Sequence, residues 1–160
     1  MAKLRPQDIE AKLVECRGNM AAAARQLGCV RSTIHYHVGK RVALLGLAFK
    51  PDTDDMREAS SLVLAARLNA DGASVSAYDP VAEEQARKLV GGIEFASSPL
   101  EAAAGADAVV LVTEWAEFLE LDWKLIAESM SGELVIDGRN ALDSDAVRAA
   151  GLVYEGVGRR

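Results

Sequence analysis

The sequence predicts an α/β fold, a parallel sheet with helices on both faces, preceded by a small three-helix segment. Three observations predict it. Apolar runs rich in branched residues alternate with helical stretches from Arg41 onward, glycines and polar turns punctuate them, and the charge changes sign near Lys40. Met1 to Lys40 carries seven Lys/Arg against three Asp/Glu, a net +4, whereas Arg41 to Arg160 carries eleven against twenty-one, a net −10; together they make the −6 of the whole chain.

A chain of 160 residues that is 50% hydrophobic has material for one ordinary domain and a satellite of about 40 residues, which is marginal alone and leans on its neighbour. There is no apolar run of about 18 residues and no charged-then-apolar leader ending in small residues, so a membrane span and secretion are not expected and the expected location is cytoplasmic. Cys16 and Cys29 stand among apolar helical positions (Leu13, Val14, Leu27, Val30), which suits buried thiols better than a bridge. His35 and His37 are two apart and point in different directions on a helix, so a zinc site built with the cysteines is not expected.

The leading segment reads as three helices. From Gln7 the apolar positions Ile9, Leu13, Val14 and Cys16 recur at helical spacing and stop at Gly18. Asn19 can cap a second helix, whose Ala-rich body from Met20 to Leu27 permits close helix approach and ends at Gly28. A third begins at Arg31 or Ser32, with Ile34 and Val38 inward and Arg31, Thr33, His35, Tyr36 and His37 outward. Three short helices with a glycine turn before the last are the layout of a helix-turn-helix. The string GNMAAAARQLGCVRSTIHYHV resembles the Fis-type helix-turn-helix, within residues 6–38 or so. In that family the last helix enters the major groove. The resemblance implies DNA contacts from Arg31, Ser32, Thr33, Tyr36 and His37, with Arg25 near a phosphate. One departure lowers the charge available for DNA: His35, Tyr36 and His37 stand where the family usually has Lys or Arg.

Downstream, RVALLGLAF reads as a buried strand, and further strand-like runs lie at Ala73 to Asp79, Ala108 to Thr113 and Leu134 to Asp137. Helical stretches lie between them: Glu58 to Ala70, Ala82 to Val90, Leu100 to Ala104, Asp122 to Met130 and Asp143 to Ala150. This alternation, with right-handed crossovers, builds a parallel sheet whose ligands collect beyond the carboxyl ends of the strands. The turn Gly46-Leu47-Ala48-Phe49-Lys50-Pro51 lacks the second and third glycines of a dinucleotide site, and Pro51 removes a donor, so NAD is not expected to bind this chain. What the turn supplies is a cation, Lys50, followed by Asp52, Asp54, Asp55 and then Arg57.

Four strings, GLAFKPDTDDMREAS, TEWAEF, DGRNALD and YEGVGR, resemble in this order the C-terminal UDP-sugar-binding domain of the UDP-glucose/GDP-mannose 6-dehydrogenase family, from Arg41 to Arg160. The resemblance implies a Rossmann-like sheet with the nucleotide of a UDP-sugar near Phe49, Lys50, Glu114, Trp115 and Arg139. Lys50 suits a phosphate as a point charge, Arg139 suits phosphate or carboxylate as a two-pronged donor, and Phe49 or Trp115 offers a flat apolar face. Core packing is the competing role for Trp115. Asp55 and Asp137 are expected to hold turns rather than do chemistry. Lys50 and Arg139 are expected at neighbouring strand tips. One departure is Ser60, where the family often has Pro; another is that its NAD domain, long central helix and nucleophilic Cys in a Gly-Gly-Ser-Cys-Phe-like string are not found between Met1 and Arg160.

These readings divide the chain into 1–40 and 41–160, joined almost without linker at Val38-Gly39-Lys40. The leading expectation is a fusion, not an enzyme, of a DNA-binding helix-turn-helix with a sugar-nucleotide-binding domain, as in an artificial chimera or a reassembled gene, with no cofactor and no metal. Its expected partners are UDP or a UDP-sugar and double-stranded DNA. A homodimer is expected, because one head neutralising a few phosphates binds DNA weakly. The alternative is a UDP-sugar-binding fragment of a UDP-glucose 6-dehydrogenase, with the helical head as a structural cap and no DNA binding. A third expectation is an enzyme subunit completed by another polypeptide.

Overall fold

The computed structural model describes residues 40–158 together with Asp8, Ala11, Lys12 and Glu15. Those four are helical. The rest of the expected helix-turn-helix, with Arg25, Arg31, Ser32, Thr33, Tyr36 and His37, lies outside the described residues.

Strand β1 (Arg41–Leu45) is followed by α1 (Ser60–Ala70), β2 (Ser74–Tyr78), α2 (Glu83–Leu89), β3 (Ile93–Phe95) and α3 (Pro99–Ala103). Then come β4 (Ala108–Leu111), α4 (Ala116–Leu119), α5 (Trp123–Ser129), β5 (Leu134–Asp137), α6 (Ser144–Ala149) and β6 (Val153–Gly156). The sheet order is β3-β2-β1-β4-β5-β6 and each neighbouring pair is parallel. Right-handed crossovers therefore set the helices of the first half and of the second half on opposite faces. A strand covered on both faces needs apolar residues at successive positions rather than alternate ones, and in β1 Ala43, Leu44 and Leu45 are all fully buried.

The two buried serines of this core are paired. Ser76, inside β2, donates its hydroxyl to the Ala102 carbonyl at the α3 side of the sheet (2.5 Å), and Ser61 donates to the Leu47 carbonyl (2.6 Å), tying the start of α1 to the β1 turn. Helix starts follow from local chemistry: Ser98, Asp122 and Asp143 cap α3, α5 and α6 by accepting backbone N–H groups, and Pro99 occupies the first turn of α3.

The expected α/β architecture is the observed one, with three differences of detail. Of the apolar run RVALLGLAF only Arg41–Leu45 is strand, since the turn that begins at Gly46 (φ +94°) takes up the rest. β3 and β6 were not expected: they are edge strands of three and four residues containing Glu94 and Glu155, too short and too polar to read as apolar runs. Helix α4 is a single turn that propensity alone does not reveal. Among the described residues no helix is long and apolar enough to cross a membrane, and no three His, Cys, Asp or Glu side chains converge as a metal site.

Candidate functional site

The sheet reverses direction of growth between β1 and β4, and the crevice beyond their carboxyl ends is where such sheets take ligands. Four loops meet there, those following β1, β2, β4 and β5. Gly46 makes the β1 turn possible. A Cβ at this position would lie 2.4 Å from Thr113 Cβ and 2.6 Å from Thr113 N, so only glycine lets the turn pass over the β4 loop. Thr113 in turn donates its hydroxyl to the Ala48 carbonyl (2.7 Å), and the β1 turn is further held by Gly46 N–H to the Tyr78 carbonyl (2.8 Å).

The β2 loop supplies Asp79, which is 3% exposed. Its Oδ2 accepts from Leu47 N–H (2.7 Å), Ala48 N–H (3.0 Å) and the Trp115 indole N–H (3.0 Å), and its Oδ1 accepts from Val81 and Ala82 N–H (2.9 and 2.7 Å). Sequence reasoning missed both Asp79 and Thr113. The Tyr-Asp-Pro context of Asp79 signals a turn, and nothing local signals its long-range donors.

The expected ligand residues sit on this rim in different ways. Phe49 is 48% exposed and presents a free aromatic face. Lys50 is exposed and makes no hydrogen bond among the described residues. Arg139, after β5, reaches across the tip of β4: Nε donates to the Val112 carbonyl (2.7 Å) and Nη2 to the Phe49 carbonyl (3.2 Å), leaving Nη1 free. Glu114 Oε2 lies 3.3 Å from Arg139 Nε. Because that N–H is aimed at Val112, the carboxylate gains charge attraction but no hydrogen bond, and Oε2 is buried without one. Trp115 is only 7% exposed. It packs into the core and holds Asp79, so its ring is not the open stacking face that Phe49 offers.

One spatial expectation is corrected. Lys50 and Arg139 do not stand at neighbouring strand tips, since β4 lies between β1 and β5. The length of the arginine side chain brings them together, by bonding the carbonyl of the residue preceding Lys50. Asp137 and Asp55 hold turns, as expected. Asp137 is fully buried and accepts from Arg139 N–H (3.0 Å), Leu142 N–H (2.8 Å) and Tyr154 O–H (2.9 Å), which orients the loop carrying Arg139. Asp55 is gripped by the Arg57 side chain and N–H, which lower its pKa to about 2. Its carbonyl accepts Phe49 N–H (2.8 Å), closing the loop behind Lys50.

Two cations, Lys50 and Arg139, stand on the rim, with the Glu114 carboxylate beside Arg139, the Asp55 carboxylate in electrostatic reach of Lys50, and the exposed Phe49 ring alongside. That combination has the chemistry to suit a phosphorylated ligand with an aromatic or apolar part. By contrast, the open hollow of about 650 Å³ between the 53–58 loop and helices α1 and α2 is lined by Asp54, Asp55 and Glu58 against Arg57 alone, a balance that repels phosphate.

This strand order, with its crevice at the β1/β4 reversal, defines a Rossmann-like α/β domain. Residues 43–144 match the UDP-glucose/GDP-mannose dehydrogenase family, UDP binding domain. The chain belongs to that family. It is 45% identical over 121 residues to the UDP-glucose 6-dehydrogenase of Rhizobium meliloti, covering 76% of this chain and 28% of that protein. To the UDP-glucose 6-dehydrogenase AglM of Haloferax volcanii it is 39% identical over 159 residues, 98% of this chain and 35% of that protein. Among solved structures, the NDP-N-acetyl-D-galactosaminuronic acid dehydrogenase of Methanosarcina mazei Go1 superposes with a TM-score of 0.68 at 28% identity, over 97% of this chain and 29% of that one. A UDP-glucose dehydrogenase of Pyrobaculum islandicum gives 0.60 at 25% identity, over 94% and 43%. The chain thus spans 28–35% of the length of these two curated relatives.

The expectation that the chain is not an enzyme is overturned by these relatives, which are UDP-glucose 6-dehydrogenases. Residues 43–144 correspond to the UDP-binding part of such an enzyme, so motifs that lie in its other parts are no guide to whether the chain serves catalysis.

Proposed function

We propose that residues 41–160 hold the nucleotide part of a UDP-sugar within a UDP-sugar 6-dehydrogenase. Lys50 and Arg139 meet the phosphates, Phe49 lines the apolar part of the ligand, Glu114 sets the charge beside Arg139, and Trp115 supports the rim from beneath. The observation that carries the reading is the Arg139 side chain, which spans the tips of β5, β4 and β1, bonds the carbonyl of the residue before the exposed Lys50 and keeps Nη1 free of hydrogen bonds. On this reading the domain binds a remote, non-reacting part of the substrate, and that binding energy serves to orient the reacting sugar. A cytoplasmic location goes with it. The test is a thermal-shift comparison of UDP, UDP-glucose and NAD. Ligand at a hundred times its Kd stabilises by about 2.7 kcal/mol, so UDP and UDP-glucose raise the melting temperature and NAD does not; stabilisation by NAD alone overturns the reading.

A second reading is favoured by GNMAAAARQLGCVRSTIHYHV and the +4 charge of residues 1–40: a helix-turn-helix head that binds double-stranded DNA in a homodimer, through Arg25, Arg31, Ser32, Thr33, Tyr36 and His37. It predicts salt-dependent retardation of duplex DNA that Arg31→Ala weakens, and a dimer in sedimentation at micromolar concentration. The Haloferax volcanii match, at 98% of this chain, extends into residues 1–40 and supports instead a head that belongs to the dehydrogenase as a cap. No retardation even at low salt decides for the cap.

A further inference from the structure

The β1 turn carries an arrangement that the proposed nucleotide site does not use. In a parallel sheet of this order the N–H groups of the first turn ordinarily face a ligand's phosphate, a helix begins at that turn to add its own, and the acidic residue after the second strand takes ribose hydroxyls. Here that acidic residue is turned inward. Asp79 takes the N–H groups of Leu47 and Ala48 on one oxygen, together with the Trp115 indole, and those of Val81 and Ala82 on the other. Helix α1 begins only at Ser60, far past the turn. Five donors from three loops converge on one buried carboxylate, which is how a protein nest holds a bound oxyanion.

We infer that Asp79 is a resident anion occupying the phosphate position of the β1 turn, and that it is a specificity-determining residue, assigning an incoming nucleotide's phosphates to Lys50 and Arg139. A phosphate approaching Leu47 and Ala48 meets a like charge and finds both donors taken. The cations Lys50, exposed at the end of the same turn, and Arg139, whose Nη2 bonds the Phe49 carbonyl there, are not engaged by Asp79. The second half of this inference rests on the proposed function; the first half stands on the hydrogen bonds alone.

Chemical rescue tests it. Asp79→Ala deletes the carboxylate and leaves its five donors, so the melting temperature of the full chain falls by about 10 °C or more. Sodium formate, a carboxylate that fits the vacated position, then restores most of the loss at constant ionic strength, while the same formate leaves the unsubstituted protein unchanged. No advantage of formate over chloride overturns the inference. If the variant is recovered only unfolded, refolding yield in formate against chloride makes the same comparison. On the unsubstituted protein, amide spectra titrated with UDP show shifts at Lys50 and Arg139 and none at Leu47 and Ala48. Largest shifts at Leu47 and Ala48 overturn the inference, whereas formate rescue with no UDP shift anywhere upholds the resident anion and overturns the nucleotide site.

Discussion

Replacing Gly46 by alanine puts the closest approach in the site under direct test. Two costs follow from the geometry. The backbone sits at φ +94°, a conformation that costs an L-residue about 1–2 kcal/mol. The new methyl would lie 2.4 Å from Thr113 Cβ, 2.6 Å from its N and 2.7 Å from its Oγ1, so the β4 loop must move, and overpacking of this kind costs about 1–3 kcal/mol. Together they make about 2–5 kcal/mol, a large fraction of the 5–15 kcal/mol that holds a typical domain. For a domain of this size that is a fall in melting temperature of about 8–20 °C. Urea unfolding measures it, with Gly105→Ala as the control: Gly105 has φ +67° but its added Cβ would find nothing nearer than Ser131 Oγ at 3.9 Å, so it carries the backbone cost alone. Because Thr113 also holds the Ala48 carbonyl, Gly46→Ala moves Phe49 and Lys50 and weakens UDP binding along with stability. Equal losses in the two variants would refute the close approach to Thr113.

Arg139→Lys keeps the charge but loses the fork that bonds the Val112 and Phe49 carbonyls; calorimetry should show UDP affinity reduced about tenfold to a hundredfold, and an unchanged affinity would refute the phosphate role. Tyr154→Phe removes a buried 2.9 Å bond to the Asp137 carboxylate, for an expected loss of about 1.5–3 kcal/mol in urea unfolding; no shift in the midpoint would mean that the hydroxyl does not hold Asp137. The Asp55 pKa is lowered from 3.8 to about 2, chiefly by the side-chain hydrogen bond from Arg57 and next by its N–H. A depressed carboxylate contributes above its ordinary pKa and loses that contribution as pH falls through 3.8 toward 2. The pair is exposed, so carboxyl NMR should find the midpoint rising with salt and with Arg57→Gln; an unmoved midpoint in Arg57→Gln would contradict the pairing.

How much of this was legible in the chain differs from residue to residue. The Ala-, Leu- and Val-rich runs at Arg41, Ala108 and Leu134 announced buried strands because a strand covered on both faces needs successive apolar positions. Helices α5 and α6 announced their starts through Asp122 and Asp143, whose side chains bond the next N–H groups without help from elsewhere. β3 and β6 stayed hidden, since three or four residues at a sheet edge carry too little periodicity and form only because β2 and β5 offer them a ladder. Lys50 and Arg139 were legible as candidate cations from their motifs. Their meeting was not.

By itself, then, the sequence determined the alternation of strand and helix, the split of charge at Lys40, the turn at Gly46 and the motifs that mark the family, because each depends on backbone sterics, side-chain period or residues close together in the chain. The tertiary structure alone decided that β4 would separate β1 from β5, that Arg139 would bridge the gap, and that Asp79 and Trp115, 36 positions apart, would close on one another beneath the rim. The reason is physical. Which loops share a crevice is fixed by strand order and side-chain reach, and a carboxylate's preference for N–H donors does not say which distant turn will supply them.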